Sequence, residues 1–362
     1  MSSPNKGLVA SLLSIQFFIR FKDKLRRYAS PIFTWLKHHY LHSRSAGLVS
    51  EQAQLLDIKP EDVILMLDSS WARDDIAQLQ KLSSSKQAHI VYVLYDLIPV
   101  LHPEYCNPLH TKTFKAFVTE CLFNANTLGI IGISQAVMRD FQCYAGEYYP
   151  KCIMPKLDFF HLGVDKHRFV NGEVRQSIKE LFNRERLTFL MVSTIEPRKN
   201  HTYLLDCFEQ LWQQGVEVNL LFIGKVGWEV ASLMKRINNH SQRNQHFFVM
   251  HDANDAELAY AYEHSTALVF PSHAEGFGLP IIEALEHGLP VIASDIPVHR
   301  EVGGDLAVYI DTTKTESLVN LVKSILAEGI PLEHQPRDYK WLSWEESAQQ
   351  LIDRVLAMRN ES

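Results

Sequence analysis

"STALVFPSHAEGFGLPIIEALEHGLPVIASD", residues Ser265–Asp295, decides the fold. Its first six residues are apolar enough to be a short parallel strand buried on both faces. "PSHAEGFG" is turn chemistry. Pro280 fits the first position of a helix, where its missing N–H costs nothing. Ile281, Ile282, Ala284 and Leu285 supply that helix with a packing face, and Gly288 followed by Pro290 ends it. "PVIASD" then reads as the next strand. The unit is strand, glycine loop, helix, strand, and its loop falls at the carboxyl end of a sheet, where open α/β folds bind ligands. Free N–H groups and the helix dipole favour an anion at such a turn. Yet the turn carries two carboxylates, Glu275 before the glycines and Glu283 about one turn into the helix. Acidic residues near a helix N-terminus also stabilise it, by a few tenths to about 1 kcal/mol. A ligand with both phosphate and vicinal hydroxyls accounts for the pair: N–H groups take the phosphate and carboxylates accept from the hydroxyls. A nucleotide sugar is such a ligand.

Two neighbouring crossovers carry cations at the same level. "VSTIEPRKNHTYLLDCF" (Val192–Phe208) places Arg198 and Lys199 in the turn before a helix. The helix dipole disfavours cations there, whereas a bound diphosphate would explain them. "FIGKVGWE" (Phe222–Glu229) puts Gly224 and Lys225 at another strand end. Cation, cation and carboxylate pair converge on one crevice.

The same alternation extends through most of the chain. Strands are expected at 63–67, 89–96, 128–134, 187–193, 218–224, 246–250, 267–270, 290–294 and 307–310. Helices are expected at 112–124, 135–142, 201–214, 255–264, 280–287 and 315–327. This is the pattern of doubly wound parallel sheets. The 362 residues suggest two domains. The expected order is a basic helical segment (1–57), a first Rossmann-like domain (58–175), a second (186–340), and a terminal helix (341–360) crossing back to the first. Ser343 and Glu346 have capping-box spacing, and Trp341 and Trp344 are placed to anchor that helix.

A net charge of −6 argues against nucleic acid as the main partner. The charge is uneven. Met1–Ser45 holds eight basic residues and one acid, Asp23, for a net +7, which leaves −13 elsewhere. Phe17, Phe21, Leu25 and Tyr28 form an apolar stripe in that segment. A basic amphipathic helix over 8–42 suits an anionic membrane surface, or packs on the protein with its basic face in water. No uncharged apolar run reaches 18 residues, so no membrane span is expected. The five cysteines are odd in number without a C-x-x-C, and read as reduced, mostly buried thiols. The histidines show no metal-ligand spacing, and His38, His39 and His42 read as solvated.

These motifs resemble family-4 retaining glycosyltransferases of the two-Rossmann GT-B type, in the mannosyltransferase-like branch that builds bacterial surface polysaccharides. The carrying residues are "VSTIEPRKN", "FIGKVGWE", "VMHDANDAEL", the stretch from Phe270 to Asp305, and "WLSWEESA". In the first half they are "LDSSW", "YDLIPVLHPE", "GISQAVMRDF" and "HLGVDKHRF". The resemblance implies two Rossmann-like domains facing a cleft, and transfer of a hexose with its anomeric configuration kept. It implies no cofactor or metal, a nucleotide-sugar donor such as GDP-mannose, and a saccharide or lipid-linked acceptor. Glu275 would contact the transferred sugar, Glu283 the ribose, and Lys199 the diphosphate. The backbone of Gly276, Phe277, Gly278 and Leu279 would line the donor.

Three departures stand out. Thr194 replaces an arginine common in relatives, leaving Arg198 or Lys225 to compensate. Tyr95 replaces a histidine, leaving Asp96 or His102 for the donor sugar. The first 57 residues lack the relatives' opening strand and Gly-Gly loop, so a shortened first domain is expected, with helical residues 8–42 covering the gap. The location implied is cytoplasmic, peripheral on the inner face of the cell membrane. A non-catalytic, nucleotide-sugar-binding partner in an assembly complex is the alternative.

Overall fold

The computed structural model describes residues 58–67, 76–165, 172–182, 186–331, 334–336 and 339–360. The expectations for residues 1–57, including the basic stripe and His38, His39 and His42, lie outside these, as do Asp68–Trp71 and residues 166–169. The chain divides into two compact units, Met1–Gly163 with Leu342–Ser362, and Val164–Trp341.

In the first unit, β1 (Val63–Met66), β2 (His89–Leu94), β3 (Thr127–Gly132) and β4 (Lys156–Phe159) form a parallel sheet in sequence order. Helices α1 (Ile76–Lys86), α2 (Ile98–Leu101), α3 (Pro108–Phe117) and α4 (Gln135–Tyr148) make its connections. The helix expected over 112–124 starts earlier, at Pro108 after the cap of Asn107, and widens into a π turn over Val118–Leu122. Met358 lies over the sheet on a later helix, and a Cβ on Gly129 would meet its sulfur at 2.3 Å.

The described part of the second unit is Val164–Asp165 and then Gly172–Trp341 apart from short gaps. Helix α5 (Gln176–Phe182) leads to β5 (Thr188–Val192), α6 (His201–Gln213), β6 (Asn219–Ile223), α7 (Ala231–Asn238), β7 (Phe247–Met250), α8 (Asp255–His264), β8 (Ala267–Phe270), α9 (Leu279–Glu286), β9 (Val291–Ser294), α10 (Pro297–Gly303), β10 (Ala307–Ile310) and α11 (Thr315–Glu328). The parallel sheet has the order β10-β9-β8-β5-β6-β7. The chain therefore fills one side of β5, then reverses and fills the other from β8, which creates a topological switch point between these strands. β5 and β8 are registered at only two pairs, Phe189 with Ala267 and Leu190 with Leu268. Their pairing stops before either strand ends, and the carboxyl-end crevice opens there.

Apolar burial holds these strands. β6 and β8 are buried at every residue, and each fully buried Leu, Ile, Val or Phe stabilises by roughly 1.5–3 kcal/mol. Phe208 of α6 meets Phe189 of β5 edge-on at 5.6 Å. The entry to the unit is fixed by charge. Arg175 donates from Nε to Glu257 Oε1 at 2.6 Å and from Nη1 to Asp252 Oδ2 at 3.0 Å. Glu257 also completes a capping box with Asn254 at the start of α8.

Helix α12 (Trp344–Asn360) returns to the first unit. Its Ser343–Glu346 box forms as the spacing predicts, at 2.7 and 3.2 Å. Trp344 is buried and anchors it. Trp341 does not: it belongs to the second unit and packs against Phe277 at 6.2 Å. Two expectations need further correction. Leu279 holds the first position of α9 and Pro280 the second, because Gly278 supplies the cap. Only Cys121 and Cys207 of the five free cysteines are buried, while Cys143 and Cys152 are exposed. Cys143 lies on the solvent face of α4, and Cys152 in the turn beyond it. Among the described residues no helix is long and apolar enough to cross a membrane.

Candidate functional site

The turn after β5 is built by Pro197 and Asn200. Pro197 fixes φ at the start of a single 3-10 turn, Pro197–Lys199. Asn200 then adopts a left-handed conformation (φ 62°), which asparagine tolerates better than most residues. That reversal lets α6 begin at His201 and directs Arg198 and Lys199 towards the loop after β8. His273 N donates to Arg198 O at 2.9 Å, which joins the two loops through their backbones.

Glu275 receives both cations. Lys199 Nζ donates to Oε1 at 2.5 Å and Arg198 Nη1 to Oε2 at 2.7 Å. Arg198 also reaches Ala274 O at 2.6 Å and Glu196 Oε1 at 2.8 Å. Lys199 further lies over the Phe270 ring, 5.5 Å from its centroid. Burial alone would raise the Glu275 pKa, but the Arg198 and Lys199 charges outweigh it and hold the carboxyl well below the usual carboxylate range. Burial raises Glu196, against the pull of Arg198 and Lys199. The four side chains carry two positive and two formal negative charges, so the cations are matched within the protein.

Gly278 caps α9 with φ 101°, a conformation that favours glycine. The chain can thus turn from Gly276 and Phe277 straight into Leu279, with the first N–H groups of α9 at the crevice end of the sheet. Glu283 follows one turn in, and Tyr262 of α8 donates to its Oε2 at 2.8 Å. Beneath the loop, His299 is wholly buried. Its Nδ1 lies 3.0 Å from Ser294 O, a carbonyl that only accepts, so Nδ1 carries the proton and Nε2 the lone pair. Burial lowers its pKa to about 4, with Glu275 opposing. Buried His201, 3.3 Å from Ser193 Oγ, is lowered to about 3 by burial and then by Lys199.

Gly224 and Lys225 join the site through backbone. A Cβ on Gly224 would lie 1.8 Å from Ser193 O. Ile195 N donates to Lys225 O, and Gly227 N to Ile195 O, both at 2.8 Å. The Lys225 side chain itself is exposed. Asp96 belongs to the first unit, where its Oδ1 accepts from Ile98 N at 3.0 Å in the turn after β2. Tyr95 donates from its hydroxyl to Leu67 O at 2.6 Å. Among the described residues, no group of three His, Cys, Asp or Glu side chains is arranged to hold a metal ion.

The structure therefore unites Arg198, Lys199, Glu275 and the Gly276–Leu279 turn, with Glu283 on the adjoining helix. Sequence reasoning missed Glu196, His299 and Tyr262. Glu196 stood inside the "IEPRKN" motif and His299 in "PVHREV"; Tyr262 gave no signal beyond an aromatic in a helix.

Residues 174–340 match the family model for glycosyl transferases group 1. The serotype-specific mannosyltransferase WbdA of Escherichia coli is 32% identical over 328 residues, 88% of this chain and 40% of that protein. The O-antigen chain mannosyltransferase B of Escherichia coli is 29% identical over 169 residues, 45% of this chain and 44% of that protein. The chain spans about two fifths of the length of the WbdA relatives. Among solved structures, Anabaena HepE in complex with UDP and glucose aligns with a TM-score of 0.56 at 16% identity, over 83% of this chain and 76% of that one. Sucrose-phosphate synthase of Thermosynechococcus elongatus aligns at 0.60 and 17%, over 94% and 80%. Both likenesses concern the fold, which is GT-B. Residues 174–340 are thus a glycosyl transferases group 1 domain, in a chain homologous to bacterial O-antigen mannosyltransferases.

Proposed function

We propose that the chain moves a hexose, mannose from GDP-mannose, to a saccharide or lipid-linked saccharide in surface polysaccharide synthesis, with the anomeric configuration retained and no metal ion. One observation carries the reading: two half-buried cations, Arg198 and Lys199, meet Glu275 beside the glycine turn of α9. The mannosyltransferase relatives supply the sugar and the polysaccharide. In this proposal the donor diphosphate takes the N–H groups of Gly276–Leu279 and shares Lys199 and Arg198 with Glu275. Glu283 accepts from the ribose hydroxyls. The bond from the sugar C1 to the phosphate oxygen breaks, a bond from C1 to the acceptor oxygen forms on the same face, and the acceptor proton leaves with the diphosphate. Negative charge grows on the leaving oxygens, where fixed cations and the helix dipole act most strongly. Asp96 enters through the resemblance alone, as does peripheral membrane contact through residues 8–42.

A thermal-shift screen across GDP-, UDP-, ADP- and dTDP-sugars tests the donor, since a ligand at 100 times its Kd stabilises by about 2.7 kcal/mol. A transfer assay that resolves the product anomer tests the reaction. Stabilisation by GDP-mannose and an α-linked product are expected. Stabilisation without turnover on any acceptor would mark a non-catalytic nucleotide-sugar binder, and no stabilisation by any donor would overturn the reading.

A further inference from the structure

Glu283 is half-buried on α9, and an unrestrained glutamate there would lose up to about 2 kcal/mol of rotamer freedom on being fixed by a ligand. Tyr262 removes that freedom beforehand. Its side chain is wholly buried, and its ring stacks on the His287 ring at 5.3 Å and 17°. His287 is itself 2% exposed and lies 3.6 Å from Glu263. The phenol therefore has a fixed position from which to donate to Glu283 Oε2 at 2.8 Å.

We propose that Tyr262 is a positioning residue for the nucleoside: its hydroxyl sets the plane of Glu283, so that the carboxylate meets vicinal ribose hydroxyls preformed. This rests on the ribose reading of Glu283. Tyr262 touches no substrate itself and acts through Glu283. It follows that Tyr262 governs discrimination for the ribose hydroxyls and leaves the diphosphate and the transferred sugar alone.

The test measures dissociation constants for GDP and 2′,3′-dideoxy-GDP with wild-type protein, Tyr262→Phe, Glu283→Gln and the double variant. Phenylalanine keeps the ring on His287, and a thermal midpoint checks that each variant is folded. Tyr262→Phe is expected to weaken GDP about 5- to 10-fold, below the roughly 10- to 100-fold worth of a direct hydrogen bond to a charged group, because Glu283 itself remains. It should leave dideoxy-GDP within about twofold, raise the donor KM, and leave kcat nearly unchanged. The double variant should bind GDP no worse than Glu283→Gln alone, because the two side chains act as one device. Equal weakening of both ligands would make Tyr262 merely structural and overturn the proposal. So would unchanged GDP affinity in Tyr262→Phe alongside a loss in Glu283→Gln. Unchanged GDP affinity in Glu283→Gln overturns the ribose reading itself, and the role of Tyr262 with it.

Discussion

Lys199 Nζ lies 2.5 Å from Glu275 Oε1, with 12% and 8% of the two side chains exposed. A cation this buried and this close to a carboxylate is already neutralised. A diphosphate would have to share Lys199 with Glu275 or displace it, so donor binding and the state of Glu275 are coupled. This answers the puzzle of two carboxylates at a turn expected to bind an anion. Glu275 balances the cations, and Glu283 is held aside by Tyr262.

Lys199→Met should cost stability as well as activity. Removing one partner of a buried pair leaves an uncompensated charge, worth about 3–5 kcal/mol. Arg198 remains on Glu275, which brings the expected loss to the lower end. Donor affinity and turnover together should fall roughly 10- to 100-fold. Adding Glu275→Gln should restore much of the stability and none of the activity. Urea unfolding of the single and double variants, with transfer rates beside it, checks both halves. Activity within twofold of wild type would move the diphosphate role to Arg198 or Lys225.

The two glutamates should separate kinetically. Glu283→Gln should raise Kd for the nucleoside diphosphate while bound-state turnover changes little, because a ribose contact binds substrate and transition state alike. Glu275→Gln should lower kcat with a smaller change in affinity. Single-turnover rates at saturating donor distinguish them. Reversed effects would exchange the two assignments.

Acid should weaken the fold above the carboxylate range. His299 titrates at about 4 and His201 at about 3 in the folded protein, against about 6.5 when unfolded. Between about pH 6.5 and 4 the unfolded chain holds protons that the native protein refuses, so stability rises with pH across that window. It is fully present above 6.5 and lost as pH falls. Each histidine contributes a slope of about 1.4 kcal/mol per pH unit at most. Glu275, held low, adds to the loss only below its ordinary range. His299→Gln should therefore flatten the dependence of unfolding free energy on pH. An unchanged slope between pH 4.5 and 6.5 would mean that His299 is charged in the native state.

Gly224→Ala should be far costlier than Gly288→Ala. At Gly224 the new methyl would meet backbone, Ser193 O at 1.8 Å, and φ is 155°. At Gly288 φ is 75° with nothing within 4 Å, so the cost is the left-handed conformation, about 1–2 kcal/mol. Melting temperatures of the two variants give the comparison. The Gly224 variant should also lose donor binding, since that contact fastens the loop bearing Arg198 to its neighbour. Equal costs would remove the packing argument.

The strands of the second unit were legible because β-branched and apolar runs at sheet centres carry their own signal. β4 was not, since "KLDF" at a sheet edge alternates charged and apolar residues over only four positions. The glycine turn, Glu275 and Lys199 could be read from local motifs. Their pairing could not, because Lys199 and Glu275 are 76 residues apart and meet only through the β5–β8 switch. Tyr262 was invisible for the same reason. Its partner lies 21 residues on, beyond a strand and a loop. The misplaced Trp341 shows the converse limit, where proximity to a helix suggested a role that packing against Phe277 took instead.

Helix α12 closes the first sheet with the final residues of that unit, Met358 filling the space over Gly129 and Lys156 Nζ donating to Met358 O at 2.7 Å. Synthesis on a ribosome runs the other way. The four strands emerge first, yet the helix that covers them follows only after Val164–Trp341 has been made. At typical elongation rates that is a delay on the order of 10–40 s. During it the second unit is a continuous stretch able to fold, while β3 and β4 still lack their cover. A nascent chain paused after Trp341 would expose an apolar sheet face to chaperones, and release of the last turns of α12 is the event that ends that exposure.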